Sequence, residues 1–126
     1  MSATRTHLPH RRPTITEKIE AFGARLFVSA GIDPATGKVK EIFFGGTKEG
    51  SAMNAILGDV AVAISVALQH DVPIEALARS MGRVSIDPLR PEDLDGRPVP
   101  TVPASPVGAT LDWIMAISTP APEAAE

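Results

Sequence analysis

The chain of 126 residues contains neither cysteine nor tyrosine, and only 4% of its residues are aromatic. The absence of cysteine excludes disulfide bonds, thiolate nucleophiles and cysteine-ligated zinc or iron–sulfur sites. A strong excess of positive charge is also missing, because the formal net charge is −3 at pH 7. This balance argues against a protein that coats nucleic acid, which would be basic. The 44% of hydrophobic residues nevertheless predicts a folded chain, and its length predicts one domain.

Composition divides the chain into five segments. Residues 1–13 form a basic arm, and arms of this kind are usually mobile. Residues 14–84 form an α+β core, and residues 85–105 form an extended connector that holds five of the twelve prolines. Residues 106–118 are predicted to be a helix that packs on the core, followed by a frayed tail at 119–126.

The core begins with the pattern of an antiparallel meander. Ile15 and Ile19 alternate with polar residues on a first strand, and a second strand is predicted over residues 25–31. Proline and glycine at 33–37 predict a turn, after which residues 39–44 form a third strand. We therefore predict an α+β fold, in which a small antiparallel three-stranded sheet packs against one long central helix and two shorter helices.

The long helix is predicted to run from Ser51 to His70. Plotted at about 100° per residue, its small and polar residues fall in a stripe roughly 60° wide. These stripe residues are Ser51, Asn54, Gly58, Ser65 and Gln69. Apart from Asp59 and the terminal His70 the rest is apolar, so we expect either the fold or a second copy to wrap the helix.

A membrane span is the alternative explanation for this apolar stretch. The run at 53–68 is shorter than the ~20 residues that a spanning helix needs, and Asp59 within it would be costly in lipid. We therefore predict a buried helix that also forms part of a homodimer interface, with no membrane as a partner. The first twelve residues are polar and basic instead of apolar, which predicts no signal peptide and a cytoplasmic protein.

Four segments carry a family resemblance. They are LPHRRP (8–13), EIFFGGTKEGSAMNAI (41–56), ALQHDVPIEALARSM (67–81) and PVGATLDWI (106–114). In these segments and in their order the chain resembles a TSCPD-type domain, a module found near the C-terminus of adenosylcobalamin-dependent ribonucleotide reductases and also as short free-standing proteins. The chain departs from the pattern in two ways: the cysteine-containing tetrad is missing, and the proline connector is longer than usual.

The resemblance implies a role in association. Ribonucleotide reduction in that family proceeds through a cysteine thiyl radical and consumes a cysteine pair, and this chain supplies neither. We therefore expect a free-standing TSCPD-like binding or accessory module that is not catalytic alone, with a protein partner linked to nucleotide metabolism and no cofactor. The alternative within the same family is a non-catalytic component of a ribonucleotide reductase complex that contains a cysteine-bearing subunit.

A glycine-rich turn before the long helix is the candidate ligand site. Its residues are Gly45, Gly46, Lys48, Gly50 and Ser51. Glycines let backbone N–H groups turn toward a ligand, and a helix N-terminus and a lysine both favour an anion, so we expect a phosphate, a nucleotide or a nucleic-acid phosphate as the ligand. The spacing is not that of a Walker A loop, and the alternative is a tight strand-to-helix turn with Ser51 as the N-cap.

Three charged residues are candidates for interaction. Arg11 and Arg12 in the basic arm suit an acidic partner or phosphates, although solvated charges are the alternative. Asp59 lies in the apolar helix, where a buried carboxylate needs a cation. We expect it to pair with Arg79, with Arg25 or with the basic arm of a partner.

Patterns typical of a catalytic or metal site are absent from the sequence. No Ser/His/Asp order and no paired-carboxylate pattern stands out, so no catalytic residue is predicted. His7 and His10 lie in the arm and His70 ends the long helix, without carboxylates at ligand-like spacing. We therefore predict solvated histidines and no metal site.

Overall fold

The computed structural model describes residues 4–21, 24–47, 50–85 and 100–118. Its elements in chain order are β1 (Thr14–Ala21), β2 (Ala24–Ile32), β3 (Val39–Gly45), α1 (Ala52–Gln69), α2 (Ile74–Ser80), β4 (Arg83–Ser85), β5 (Thr101–Pro103) and α3 (Pro106–Ser118). The predicted α+β fold is confirmed, with its three-stranded antiparallel sheet, one long helix and two shorter helices.

The sheet has the order β1-β2-β3, and each neighbouring pair is antiparallel. Alternation along β2 sends Leu26, Val28 and Ala30 to one face, where each is at most 1% exposed. Ile42 lies opposite Ala30 on this core face and is also buried. The other face of the sheet, which we call the back face, carries Phe27 and is largely open to solvent.

Helix α3 packs on the core face of the sheet. Its Leu111 and Ile114 are fully buried in one cluster with β2, β3 and α1. The helix begins as predicted, because the Ser105 hydroxyl accepts a hydrogen bond from the Gly108 N–H at 3.1 Å. Helix α2 packs against α3.

Helix α1 packs along β3, which is one of the two edge strands of the sheet. One side of the helix is buried in the core through Leu57, Ile64 and Leu68. Next to this side, the Ser65 hydroxyl accepts a hydrogen bond from the Ile42 N–H at 2.9 Å and reaches the Ile42 carbonyl at 3.3 Å. These bonds satisfy backbone groups that an edge strand leaves unpaired.

Gln69 satisfies a further backbone group of β3, because its Nε2 donates to the Lys40 carbonyl at 3.0 Å. Two members of the predicted polar stripe, Ser65 and Gln69, thus turn toward the sheet edge and are buried. The apolar residues on the opposite side of α1 face outward, with Met53, Ile56 and Val62 between 55% and 63% exposed. The fold wraps α1 on one side only, so the prediction of a buried helix is wrong for the other side within a single chain.

The basic arm also differs from expectation, because its described part docks on the core. The Thr6 N–H donates to the Gln69 carbonyl at 2.7 Å, and the Arg5 side chain bonds the Gln69 side-chain oxygen. Further along, the Ile32 N–H donates to the Pro13 carbonyl at 2.9 Å, so the arm runs directly into β1. The expectation of a mobile arm is therefore wrong for residues 4–13.

A short ladder between β4 and β5 was not predicted. It joins the ends of the predicted proline connector, since Ser85 pairs with Thr101 and Val84 with Val102. Arg83 ties the ladder to α3 through its ion pair with Asp112 at 3.2 Å. The rest of the connector, residues 86–99, and the predicted tail, residues 119–126, lie outside the described residues.

Candidate interaction surface

The glycine-rich turn joins β3 to α1 in the conformation that its sequence suggests. Gly46 and Gly50 have φ angles of 84° and 78°, in the left-handed region that glycine adopts without strain. Ser51 is the N-cap of α1, since its hydroxyl accepts a hydrogen bond from the Asn54 N–H at 3.1 Å. The cap interpretation of Ser51 is thus confirmed, and it occupies one lone pair of that hydroxyl.

The anion-binding interpretation of the same turn depends on Lys48, which lies outside the described residues. Gly45 ends β3, and next to it the Thr47 hydroxyl donates to the Asn54 side-chain oxygen at 2.7 Å. The hydroxyls of Thr47 and Ser51 therefore both bond Asn54 in the first turn of α1. A phosphate site at this turn stays a prediction.

Arg12 is bound within the chain. Its guanidinium makes a two-pronged ion pair with Glu41, of which the Nη2–Oε2 bond measures 3.0 Å, and Nη1 donates to the Pro9 carbonyl at 2.9 Å. The hydrogen bond to Glu41 raises the pKa of Arg12. Glu41 lies over Gly31, where an added Cβ would come within 2.3 Å of the carboxylate. Arg12 thus fastens the arm to β3, whereas Arg11 beside it is exposed.

A buried lysine at the start of β3 is a feature that the sequence analysis missed. Lys40 is 5% exposed, and its ammonium group donates to the Leu68 carbonyl at 2.9 Å and to the Asp71 carboxylate at 2.8 Å. Asp71 has a φ of 63°, and its hydrogen bond with Lys40 lowers its pKa. The available signal was a Lys40-Glu41 pair within a strand whose other residues are apolar, which does not identify a partner 31 residues away.

A cavity of about 340 Å³ lies beside this lysine, between the start of β3, the α1–α2 corner and the end of α3. Its volume suits a small ligand. Lys40 and Asp71 within its wall are already bonded to each other, and the lysine also caps the carboxyl end of α1. The polar groups here thus close the α1–α2 corner, which is a structural role.

The outward side of α1 is an open apolar surface, on which three of the large exposed hydrophobic residues lie. We call it the outer face, and it consists of the exposed residues Ala52, Met53, Ala55, Ile56, Asp59, Val62 and Ala63. Asp59 is exposed on this face and forms no ion pair with any described residue. Its predicted cation Arg25 pairs with Glu20 instead, at 3.5 Å. The outer face is therefore apolar around a single carboxylate.

Two aromatic side chains on the back face of the sheet are also open to solvent. Phe27 and Phe43 are 46% and 54% exposed, on neighbouring antiparallel strands. Isolated exposed apolar residues are normal on a soluble protein. The outer face differs from this pair because its apolar residues recur over three turns of one helix.

Histidine and carboxylate groups do not converge in the part of the chain that the structure describes. No group of three or more such residues there could hold a metal ion. By length and composition alone α1 could span a membrane, a test that the core helices of soluble proteins also pass. The outer face of α1 is consequently a candidate interaction surface of the described chain.

Comparison with known proteins gives a family and several similar proteins. The TSCPD domain model matches residues 3–107. A vitamin B12-dependent ribonucleotide reductase of Agrobacterium fabrum is 33% identical over 88 residues, which is 70% of this chain and 7% of the reductase. The corresponding reductase of Streptantibioticus cattleyicolor is 31% identical over 84 residues, 67% of this chain and 14% of the reductase.

The reductase of Rhodopirellula baltica is 29% identical over 85 residues, 68% of this chain and 8% of its own length. The chain thus spans a small fraction of the curated relatives it matches, as a single module of a long polypeptide would. No solved structure matches the chain.

Proposed function

Because the chain belongs to the TSCPD domain family, we propose that it is a non-catalytic accessory module of the ribonucleotide reductase type that acts by binding protein. The relatives named vitamin B12-dependent ribonucleotide reductase match it over only 7–14% of their length. The chain corresponds to one module of such proteins. The chemistry of the whole protein requires far more polypeptide than this.

The observation that carries the proposal is the open outer face of α1. Three large apolar side chains there, Met53, Ile56 and Val62, remain more than half exposed. Full burial of one such side chain stabilises by about 1.5–3 kcal/mol, so covering the exposed part of all three contributes roughly 3–5 kcal/mol. Binding of a partner to this face is therefore favoured by the burial of apolar side chains that stay exposed in the isolated chain.

The absence of cysteine supports the non-catalytic part of the proposal. Reduction of a ribonucleotide through a thiyl radical needs a cysteine to carry the radical and a cysteine pair to supply electrons. This chain has no cysteine at any of its 126 positions. Any part that it takes in this reaction therefore depends on cysteines from outside these 126 residues, which a partner linked to nucleotide metabolism would supply.

The experiment has two arms. In the first, the chain alone is assayed for ribonucleotide reduction with adenosylcobalamin and a dithiol, and we expect no deoxyribonucleotide. In the second, calorimetry measures its binding to a vitamin B12-dependent reductase from which the matching segment has been deleted. We expect Ile56→Glu or Val62→Glu to weaken binding at least tenfold.

A matched control is Thr14→Glu, which adds the same charge to an exposed residue of β1 away from the outer face. It should leave the affinity unchanged. Turnover by the chain alone would refute the non-catalytic role. Failure of the chain to bind the truncated reductase would refute the accessory role.

A further inference from the structure

The back face of the sheet carries two aromatic side chains, in a chain that has only four phenylalanines and one tryptophan. Phe27 on β2 is 46% exposed, and Phe43 on β3 is 54% exposed. Because Phe43 lies opposite Ser29, two positions along β2 from Phe27, the two rings are diagonal neighbours on one face. Diagonal neighbours are about 7–8 Å apart, within reach of aromatic side chains. The two rings therefore form one small aromatic surface, which we call the aromatic pair.

Small side chains surround the aromatic pair on this face. Gly45 lies opposite Phe27 and has no side chain. In the next row of the sheet, the hydroxyls of Ser29 and Thr16 bond each other at 2.9 Å. A Cβ added at Gly46 would come within 2.9 Å of the Phe27 ring, so a larger residue there would displace the ring. The described neighbours of the rings are thus too short to cover them, and a flat ring of a ligand can approach.

Basic side chains flank the aromatic pair. Lys18 on β1 lies opposite Phe27, and Arg25 shares the face because it lies two positions before Phe27. Both are exposed and both pair with the same oxygen of Glu20, at 3.4 and 3.5 Å. Exposed ion pairs of this kind are weak, and one carboxylate does not neutralise two cations. The surroundings of the aromatic pair therefore keep a positive charge, although the whole chain carries −3.

Aromatic rings beside cations on an open sheet suit a single-stranded nucleic acid. Its unpaired bases stack on aromatic side chains, and its phosphates bind lysine and arginine. A free nucleotide fits less well, because small molecules bind in concave sites that bury most of their surface, and this face is open. A second copy of the chain fits less well too, since it would bring the same positive charge against the face. A strand covers both rings with successive bases.

Beyond the proposed function, and independently of it, we infer that the back face of the sheet binds single-stranded nucleic acid. Successive bases stack on Phe27 and Phe43, and the neighbouring phosphates bind Lys18 and Arg25. None of these four residues belongs to the outer face of α1. With two phosphate contacts we expect weak binding, with a dissociation constant of roughly 10⁻⁴–10⁻⁶ M. Such binding is compatible with a chain whose net charge is unsuited to coating nucleic acid.

Fluorescence anisotropy with a labelled single-stranded oligonucleotide of about twelve residues tests the stacking. Phe27→Ala and Phe43→Ala should each weaken binding at least about fivefold. Phe43→Leu should weaken it equally, because leucine keeps apolar surface without an aromatic face, whereas Phe43→Trp should bind at least as tightly as the wild type. Ile117→Ala, which truncates an exposed apolar residue of α3, is the control and should leave the affinity unchanged.

The salt dependence of binding tests the phosphate contacts. Lys18→Gln should weaken binding and reduce the slope of log affinity against log salt by about 0.7, the value for one phosphate of a single strand. Arg79→Gln removes the same charge from an exposed position of α2 and should change neither quantity. Urea unfolding followed by Trp113 establishes that each variant is folded.

Other outcomes overturn the inference. The absence of binding at several hundred micromolar protein does so, and so does equal affinity of Phe43→Ala and the wild type. A duplex of the same sequence, or a mononucleotide, that binds as tightly as the single strand also overturns it. A dimer that Phe43→Ala dissociates would show that a second copy covers the face instead. Binding to the truncated reductase is measured separately through variants of α1, so either proposal can fail without the other.

Discussion

Replacing Ser65 with alanine tests the contact that positions α1. The Ser65 hydroxyl is the partner of the Ile42 N–H at 2.9 Å and also reaches the Ile42 carbonyl, and Ile42 is 1% exposed. Without the hydroxyl, a buried N–H remains unsatisfied, which costs about 1–3 kcal/mol. We expect the free energy of unfolding to fall by about 2 kcal/mol, and Tm by roughly 8 °C for a domain of this size.

Urea unfolding monitored by the single tryptophan, Trp113, measures the change. Ser80→Ala is the matched control, because its hydroxyl bonds the Ala76 carbonyl at an exposed position of α2. It should change the free energy of unfolding by less than about 0.5 kcal/mol. If Ser65→Ala is no more destabilising than this control, the hydrogen bonds from Ser65 to the backbone of β3 do not stabilise the position of α1.

Three further substitutions have defined outcomes. Gly31→Ala forces a Cβ into Glu41 and should destabilise the fold by about 2 kcal/mol in urea unfolding, whereas Gly45→Ala, with open space around it, should cost less than half as much. Gly58→Ala fills open space in a helix interior and should raise Tm, because glycine costs about 0.5–1 kcal/mol there relative to alanine. Asp71 has a lowered pKa in the folded state, so its contribution to stability is present above its unfolded pKa and is lost as the pH falls through the folded one. Asp71→Asn, which tolerates the same positive φ, should therefore flatten the acid side of the stability profile between neutral pH and pH 2, and an unchanged slope would contradict the ion pair.

The elements of the fold could be predicted because their signals are local. Turn residues at 33–37 separate β2 from β3, and Ser51 and Ser105 mark the starts of two helices. Each of these signals acts through bonds between residues a few positions apart, which a sequence displays directly. The short β4–β5 ladder was missed because its strands pair across 15 or more intervening positions and have only three residues each.

The docking of the arm and the buried lysine could not be predicted in the same way. Arg5 bonds a side chain 64 residues away, and the pairs of Arg12 and Lys40 span 29 and 31 residues. A charged residue in a sequence has many possible partners, and the prediction for Arg12 assumed an external one. Only the fold shows that Glu41 lies within reach and takes the guanidinium.

The sequence by itself determined the approximate bounds of β1, β2, β3, α1 and α3, the caps of these two helices and the exclusion of thiol chemistry, because these depend on local backbone preferences and on composition. The tertiary structure alone decided which side of α1 is covered. Hydropathy favoured burial of the apolar side, yet the fold turns Ser65 and Gln69 toward β3 and leaves Val62 exposed. The physical reason is that each backbone group left unsatisfied at a buried strand edge costs about 1–3 kcal/mol, at least as much as leaving one aliphatic side chain half exposed.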